Sequence, residues 1–216
     1  MAIIIKEAEK PQRLRVPSGT HLARCYSMIH VGHQNFEWQG ESKKSNRIRI
    51  GFEIPSEVIE TDSGPKPLII EKEYTLSLHE KSNLRKDLES WRGKSFTSKE
   101  LSNFDITKLL GIPCFLSIIH KTSNSGKEFA AITSISKINK GLEAPEPINE
   151  VFEFNITDKF DEDWLDTKCP SWIREQIKSS DEYNSIYESL SVSSETDRGG
   201  EEHIEIMDSI TNDLPF

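Results

Sequence analysis

The stretch 67–97 constrains the fold most, because its pattern changes from that of one long strand to that of one well-bounded helix. Apolar residues alternate with charged and hydroxyl residues over 68–79, which predicts a half-buried strand. Ser82 is placed to cap a helix through its hydroxyl, and Gly93 supplies a left-handed residue just past the helix end. An apolar stripe with helical spacing lies between them, formed by Leu84, Leu88 and Trp91. We therefore expect the helix to plug an apolar interior, with Trp91 in the core.

Two strands are predicted before this stretch, at 21–31 and 47–54, and two after it, at 113–121 and 128–138. The segments 32–46 and 55–67 are predicted to be loops. A mainly β chain in which a helix lies between the third and fourth of five strands indicates an OB-fold, a five-stranded Greek-key barrel.

Charge is segregated along the chain. Residues 1–142 carry 22 Lys+Arg against 16 Asp+Glu, whereas residues 143–216 carry 5 against 20. A basic body with an acidic appendage indicates nucleic-acid binding by the body and a protein-interaction role for the appendage. We predict four parts: an N-terminal arm (1–20), an OB-fold domain (21–142), an acidic extension with aromatic residues that packs on the barrel (143–178), and a disordered acidic tail (179–216).

The predicted groove combines aromatic rings, which stack on unpaired bases, with cations, which neutralise phosphates. Ten residues are candidate contacts for single-stranded DNA: Phe36, Trp38, Lys43, Lys44, Arg47, Arg49, Lys72, Tyr74, Lys121 and Lys127. Other interpretations stay open for several of them. Phe36 and Trp38 would instead close the barrel end, Arg47 and Arg49 would lie on a solvated face, and Tyr74 would belong to the core.

The sequence holds no phosphate-binding loop, nucleophile elbow or paired-cysteine motif, which predicts a non-catalytic protein without cofactor, metal or small-molecule substrate. Its three cysteines (Cys25, Cys114 and Cys169) are far apart and odd in number, as is typical of buried reduced thiols in a cytosol. No apolar run approaches the ~18 residues of a membrane span, and no signal peptide is evident. We expect a monomer or dimer in the cytoplasm, on DNA and not on a membrane.

Two blocks, residues 74–93 (YTLSLHEKSNLRKDLESWRG) and 109–114 (LLGIPC), resemble the single-stranded DNA-binding proteins encoded by bacteriophages. The resemblance extends over roughly residues 20–178. It implies an OB-fold and sequence-independent binding of single-stranded DNA in DNA replication, recombination and repair, in a host bacterial cytoplasm.

The last residues of the sequence are similar to the acidic tip of bacterial single-stranded DNA-binding proteins: Asp213, Leu214, Pro215 and Phe216. One acid precedes the apolar hook here, whereas the bacterial tip has a pair. The similarity implies that these four residues recruit replication and recombination enzymes.

Two other classes of function stay open. A non-catalytic adaptor or acidic DNA mimic would bind a host protein through the negative half of the chain, and it needs its acids on a folded surface. A metal-dependent nuclease would use His30 and His33, with His21 and Glu37 nearby, although no second ligand cluster has a recognisable spacing.

Overall fold

The computed structural model describes residues 14–62, 64–143, 145–158 and 161–188. The protein is mainly β, as predicted, with 44% of the described residues in strands and 24% in helices. The described strands are β1 (Gly19–Trp38), β2 (Glu41–Thr61), β3 (Gly64–Thr75), β4 (Pro113–Thr122), β5 (Glu128–Ser136) and β6 (Phe152–Asn155). The described helices are α1 (Asn83–Arg92), α2 (Ser98–Ser102), α3 (Glu162–Thr167), α4 (Ser171–Lys178) and α5 (181–188), with a 3-10 turn at Ile106–Leu109.

The strands form one curled sheet, a half-barrel, in the order β3-β2-β1-β4-β5, with β6 also paired to β1. β2 runs antiparallel along one edge of β1. The other edge pairs first with β4, at residues 19–24, and then with β6, at residues 27–30. The closed five-stranded barrel is not confirmed, because β6 is a sixth strand and no ladder joins β3 to β5 within the described residues.

Helix α1 fills the interior of the half-barrel, as the apolar stripe predicted. Trp91 is buried, its ring centroid lies 5.5 Å from that of Phe52, and its Nε1 donates to the carbonyl of Pro113 at 3.0 Å. Gly93 ends the helix at φ 67°, in the left-handed region, as predicted. Ser82 occupies the N-cap, but its hydroxyl caps no amide in the part of the chain that the structure describes.

Two segments predicted as loops are largely strand. Residues 32–46 form the outer part of the β1–β2 hairpin, and most of residues 55–67 extend the β2–β3 hairpin. The first hairpin turns at Gln39 and Gly40, whose φ angles of 54° and 78° fit a two-residue type I′ turn. We call residues 34–45 the hairpin arm. Its β2 side is polar at almost every position, so it lacks the apolar alternation by which a strand is predicted.

Residues 145–158 and 161–188, here called the C-terminal lobe, pack on the outer side of β1. A second apolar core lies between β1 and the lobe, formed by Ile29, Val31, Phe154, Ile156, Leu165, Cys169, Ile173 and Ile177. The chain is helical to residue 188, past residue 179 where disorder was predicted to begin. The remainder of the predicted tail, 189–216, and residues 1–13 of the predicted N-terminal arm lie outside the described residues.

Glu53 is a fully buried carboxylate that ties β2 to the first residues of the lobe. It is 0% exposed, and Arg24 Nη1 donates to it at 2.9 Å. The backbone N–H of Asn149 donates at 2.7 Å and the Asn149 side-chain amide at 2.8 Å. A buried charge is tolerated when it is paired and hydrogen-bonded, which this network provides.

The three cysteines are buried and unbridged. Burial raises the pKa of the Cys25 thiol to about 12 and that of the Cys169 thiol to about 11. It also raises the pKa of Cys114 well above its ordinary value.

Among the described helices, none is long and apolar enough to cross a membrane.

Replacing Glu53 by Ala should lower the free energy of unfolding by about 3–5 kcal/mol, because the Arg24 guanidinium then stays in its site without its charge partner. Urea unfolding followed by circular dichroism measures this change. Glu60→Ala, at an exposed position of the same strand, is the matched control and should change the free energy by less than about 0.5 kcal/mol. Equal stability of the two variants would contradict the structural role given to the Glu53 network.

Candidate functional site

The outer face of the sheet carries half of the predicted contact residues. Opposed residues in an antiparallel ladder point to the same side, and the register pairs Phe36 with Lys43. Ile48 and Ile50, which alternate with the two arginines of β2, are buried in the half-barrel core, so the arginines face outward. Five predicted residues share this outer face and are named the outer row: Phe36, Trp38, Lys43, Arg47 and Arg49.

Arg47 links the hairpin arm to β3. Its guanidinium carbon lies 5.2 Å from the centroid of the Phe36 ring. Its Nε donates to Ser45 Oγ at 2.6 Å, and its Nη1 lies 3.5 Å from Glu73 Oε1. A cation held over a ring in this way still presents its outer N–H groups to a ligand.

Arg49 is engaged by both the sheet and the lobe. Its Nη1 donates to Glu73 at 2.6 Å and its Nε to Glu71 at 3.3 Å. The Trp172 ring of α4 lies 4.2 Å from its guanidinium carbon. Arg49 therefore does not lie on a bare solvated face, and a phosphate that binds it must compete with two carboxylates.

Trp38 and Lys43 stand near the turn of the hairpin arm. Trp38 is 57% exposed, so it does not close the barrel end as the alternative interpretation required. Lys43 is also exposed, and its ammonium lies 3.6 Å from Glu41. The arm thus carries an open ring and a cation on one face.

Lys44 lies on the opposite side of the arm and meets the lobe. Its ammonium forms an ion pair with Asp181, at the start of α5. The neighbouring Glu182 accepts a hydrogen bond from the backbone N–H of His33 at 2.7 Å, and its second oxygen lies 2.6 Å from His33 Nδ1. Gly32 makes this approach possible, because a Cβ at that position would lie 2.5 Å from a carboxylate oxygen of Glu182. The acidic end of the lobe is therefore fastened to the base of the arm.

Lys72 and Tyr74 lie on the α1 side of the sheet, which corrects their prediction as groove residues. Tyr74 is 3% exposed and its hydroxyl donates to Asp87 of α1 at 2.7 Å. Burial raises the pKa of this hydroxyl well above its ordinary value. The Lys72 ammonium pairs with the same carboxylate at 2.7 Å. Tyr74 is thus a core residue, because its ring is covered and cannot stack on a base from this position.

Lys121 and Lys127 are exposed on the β4–β5 hairpin, away from the outer row. Lys121 lies three residues beyond Ile118, which pairs with Gly19 at the start of β1. Lys43 of β2 lies opposite Phe36, near the other end of β1. At about 3.3 Å per residue the two basic groups are roughly 60 Å apart along the curved strands. The register does not bring them together.

Phe129 is a candidate contact that the sequence analysis missed. It lies opposite Lys121 in the β4–β5 ladder and is 43% exposed, so a ring and a cation share one face of this hairpin. Its position in the alternation could have identified it, because it is out of phase with the core-facing Ala130 and Ile132.

The histidines of the metal-site alternative have separate partners. His30 lies between Asn46 (2.6 Å) and Asn155 (2.8 Å), whereas His21 contacts the carbonyl of Pro17 at 2.9 Å. His33 contacts Glu182, as described above. Across 14–62, 64–143, 145–158 and 161–188, no group of three or more His, Cys, Asp or Glu side chains is arranged to hold a metal ion.

The tip residues Asp213, Leu214, Pro215 and Phe216 lie outside the described residues.

No protein-family model matches the chain, and no curated protein matches it significantly. Its function is therefore inferred from its residues and their geometry.

Replacing Glu182 by Gln should lower the free energy of unfolding by about 1 kcal/mol at pH 7, because it weakens charge-assisted hydrogen bonds to His33. Burial raises the pKa of the Glu182 carboxyl, but the hydrogen bonds from His33 outweigh burial and leave the pKa below its ordinary value of 4.5. A carboxyl with a lowered folded-state pKa stabilises the fold above its unfolded pKa and loses that effect as the pH falls through the folded value. The difference between wild type and variant should therefore close as the pH falls below 4.5.

Urea unfolding at a series of pH values measures this difference. Glu175→Gln, at an exposed position of α4, is the control and should match the wild type throughout. A Glu182→Gln effect that persisted undiminished well below pH 4.5 would contradict the interpretation.

Proposed function

We propose that the protein binds single-stranded DNA without sequence preference and acts in phage DNA replication, recombination and repair. The observation that carries the proposal is the outer row, in which two aromatic and three cationic side chains lie on one face of the arm and the adjoining sheet. Rings stack on any base, and cations contact the phosphate that every nucleotide carries. Binding by such a row is indifferent to base identity.

The half-barrel is interpreted as an OB-fold in which α1 fills the seam between β3 and β5. Helix α1 contacts both strands, and the N–H of Lys137, just after β5, donates to the carbonyl of Ser90 in α1 at 3.3 Å. OB-folds bind oligonucleotides on the face of strands two and three and on the loops between strands one and two and between strands four and five. In this interpretation, the outer row lies on the strand face and on the connection between strands one and two. Lys121 and Lys127 lie at the connection between strands four and five.

Stacking and charge contribute differently at different points of the proposed surface. Lys43, Lys121 and Lys127 are exposed cations that can approach phosphates directly. Arg47 and Arg49 are less exposed and already paired with Glu73, so a phosphate gains less from them than from the three exposed lysines. Trp38 is the ring most open to a base. We infer that the arm makes the first contacts and that the arginines engage as Glu73 is displaced.

The acidic surface of the lobe favours a second candidate, the adaptor or DNA mimic. Residues 145–188 carry 12 Asp+Glu against 4 Lys+Arg, and nine of these twelve acids precede residue 179, where the predicted tail begins. Such a surface could bind a basic host protein. A test of oligonucleotide binding distinguishes the two candidates, because a DNA mimic does not bind oligonucleotides.

The affinity for labelled oligo-dT should fall steeply with salt. If Arg47 and the three exposed lysines neutralise about four phosphates, log affinity against log salt has a slope near −0.7 per contact, or about −3. The double variant Lys43→Ala, Arg47→Ala should reduce the slope by about 0.7 for each contact removed. Fluorescence anisotropy at several salt concentrations, with a matched duplex alongside, measures both quantities.

Lys99→Ala, an exposed cation on α2, is the matched control and should leave affinity and slope unchanged. A salt-independent affinity, or equal affinity for single strand and duplex, would reject the proposed mechanism. Absence of any binding would leave the adaptor as the better candidate.

Deleting Leu214–Phe216 should leave oligo-dT affinity unchanged while abolishing capture of replication and recombination enzymes from a host extract. The reason is that an acidic segment with a short apolar end provides a peptide ligand and not a DNA contact. Anisotropy and pull-down with the full chain measure the two effects. A loss of DNA affinity on this deletion would contradict the division of roles.

A further inference from the structure

An aromatic residue of the C-terminal lobe extends the outer row beyond the sheet. The Trp172 ring lies 4.2 Å from the guanidinium of Arg49, and the Phe36 ring lies 5.2 Å from that of Arg47. Glu73 joins the two arginines, at 2.6 Å from Arg49 and 3.5 Å from Arg47. The result is a continuous strip with one ring at each end and charged groups between them.

Trp172 is held in a fixed position relative to the sheet. Gln176, one helical turn later on the same face of α4, donates to Glu73 at 2.9 Å and accepts from Arg49 at 3.3 Å. Gln34 of the arm donates to the backbone carbonyl of Gln176 at 2.9 Å. Three strands and one helix are therefore joined at the strip.

Exposure distinguishes Trp172 from the other apolar residues of α4. Ile173 and Ile177 are fully buried in the second core, whereas Trp172 is 48% exposed. A tryptophan that served packing alone would be covered, as Trp91 is inside the half-barrel. Arg49 lies over one face of the Trp172 ring, so the exposed area belongs to its other face and edge.

We propose that Trp172 is a base-stacking platform and that single-stranded DNA runs from the hairpin arm across Arg47 and Arg49 onto α4. This inference rests on the proposed function and adds the C-terminal lobe to the binding surface. A base on the open face of Trp172 brings its phosphates towards the arginines. As a phosphate replaces Glu73 at these arginines, Gln176 keeps the displaced carboxylate hydrogen-bonded.

The test compares four variants of the full chain with wild type in oligo-dT anisotropy titrations. Trp172→Ala should weaken binding about five-fold or more, the loss of one base stack, and Trp172→Phe should restore most of the affinity. Tyr187→Ala is the matched control, because Tyr187 is another exposed ring of the lobe, and it should bind as wild type does. Trp38→Ala tests the arm separately. Thermal melting confirms that each variant is folded.

A direct contact can be read by photo-crosslinking of an oligo-dT that contains 5-iododeoxyuridine, followed by peptide mapping. We expect a crosslink in the peptide that contains Trp172. The extension onto α4 is wrong if Trp172→Ala binds as wild type does and the Trp172 peptide of wild type is not crosslinked. In that case, binding by wild type and weaker binding by Trp38→Ala would still support the proposed function. If wild type does not bind oligo-dT, the proposed function fails and the role of Trp172 fails with it.

Discussion

The two edges of β1 determine where the rest of the chain can lie. One edge pairs with β2. The other edge pairs first with β4, and Cys25 next to that ladder exchanges backbone hydrogen bonds with residues 111–112. Further along the same edge lies β6, and beyond it the Glu182 carboxylate accepts a hydrogen bond from the N–H of His33. Buried backbone groups must be paired, and three segments that are distant in sequence provide these pairs. Each segment is thereby fixed beside the strand that also carries the hairpin arm.

The sequence predicted the elements that have local signals. The strand and helix at 68–93 and the hairpin at 113–138 follow from apolar periodicity, a left-handed glycine and a turn. Strand β6 has four residues and pairs parallel to a strand more than 100 residues away, so no local pattern identifies it. The strand predicted at 21–31 lies within β1, and its sequence is apolar on both faces. Periodicity does not show that one of those faces belongs to a second core built by the lobe.

The sequence predicted which types of residue form the candidate site, but not on which face of the sheet each of them lies. Aromatic residues beside lysines drew attention to Phe36 and Trp38, but the face each residue occupies depends on the register of β1 against β2. Lys72 and Tyr74 have the same parity as the core-facing Ile70, which already placed them on the inner side. Trp172 was not among the predicted contacts, because a sequence does not distinguish the buried edge of a short apolar stripe from its exposed edge.

The burial of all three cysteines determines the redox behaviour of the chain. With pKa values of about 12 for Cys25 and about 11 for Cys169, the thiolate fraction at neutral pH is on the order of 10⁻⁴ to 10⁻⁵. Because the thiolate is the species that attacks disulfides, peroxides and alkylating reagents, such reactions are slow even where a reagent reaches the sulfur. We therefore expect the three cysteines of the folded protein to react slowly with oxidants.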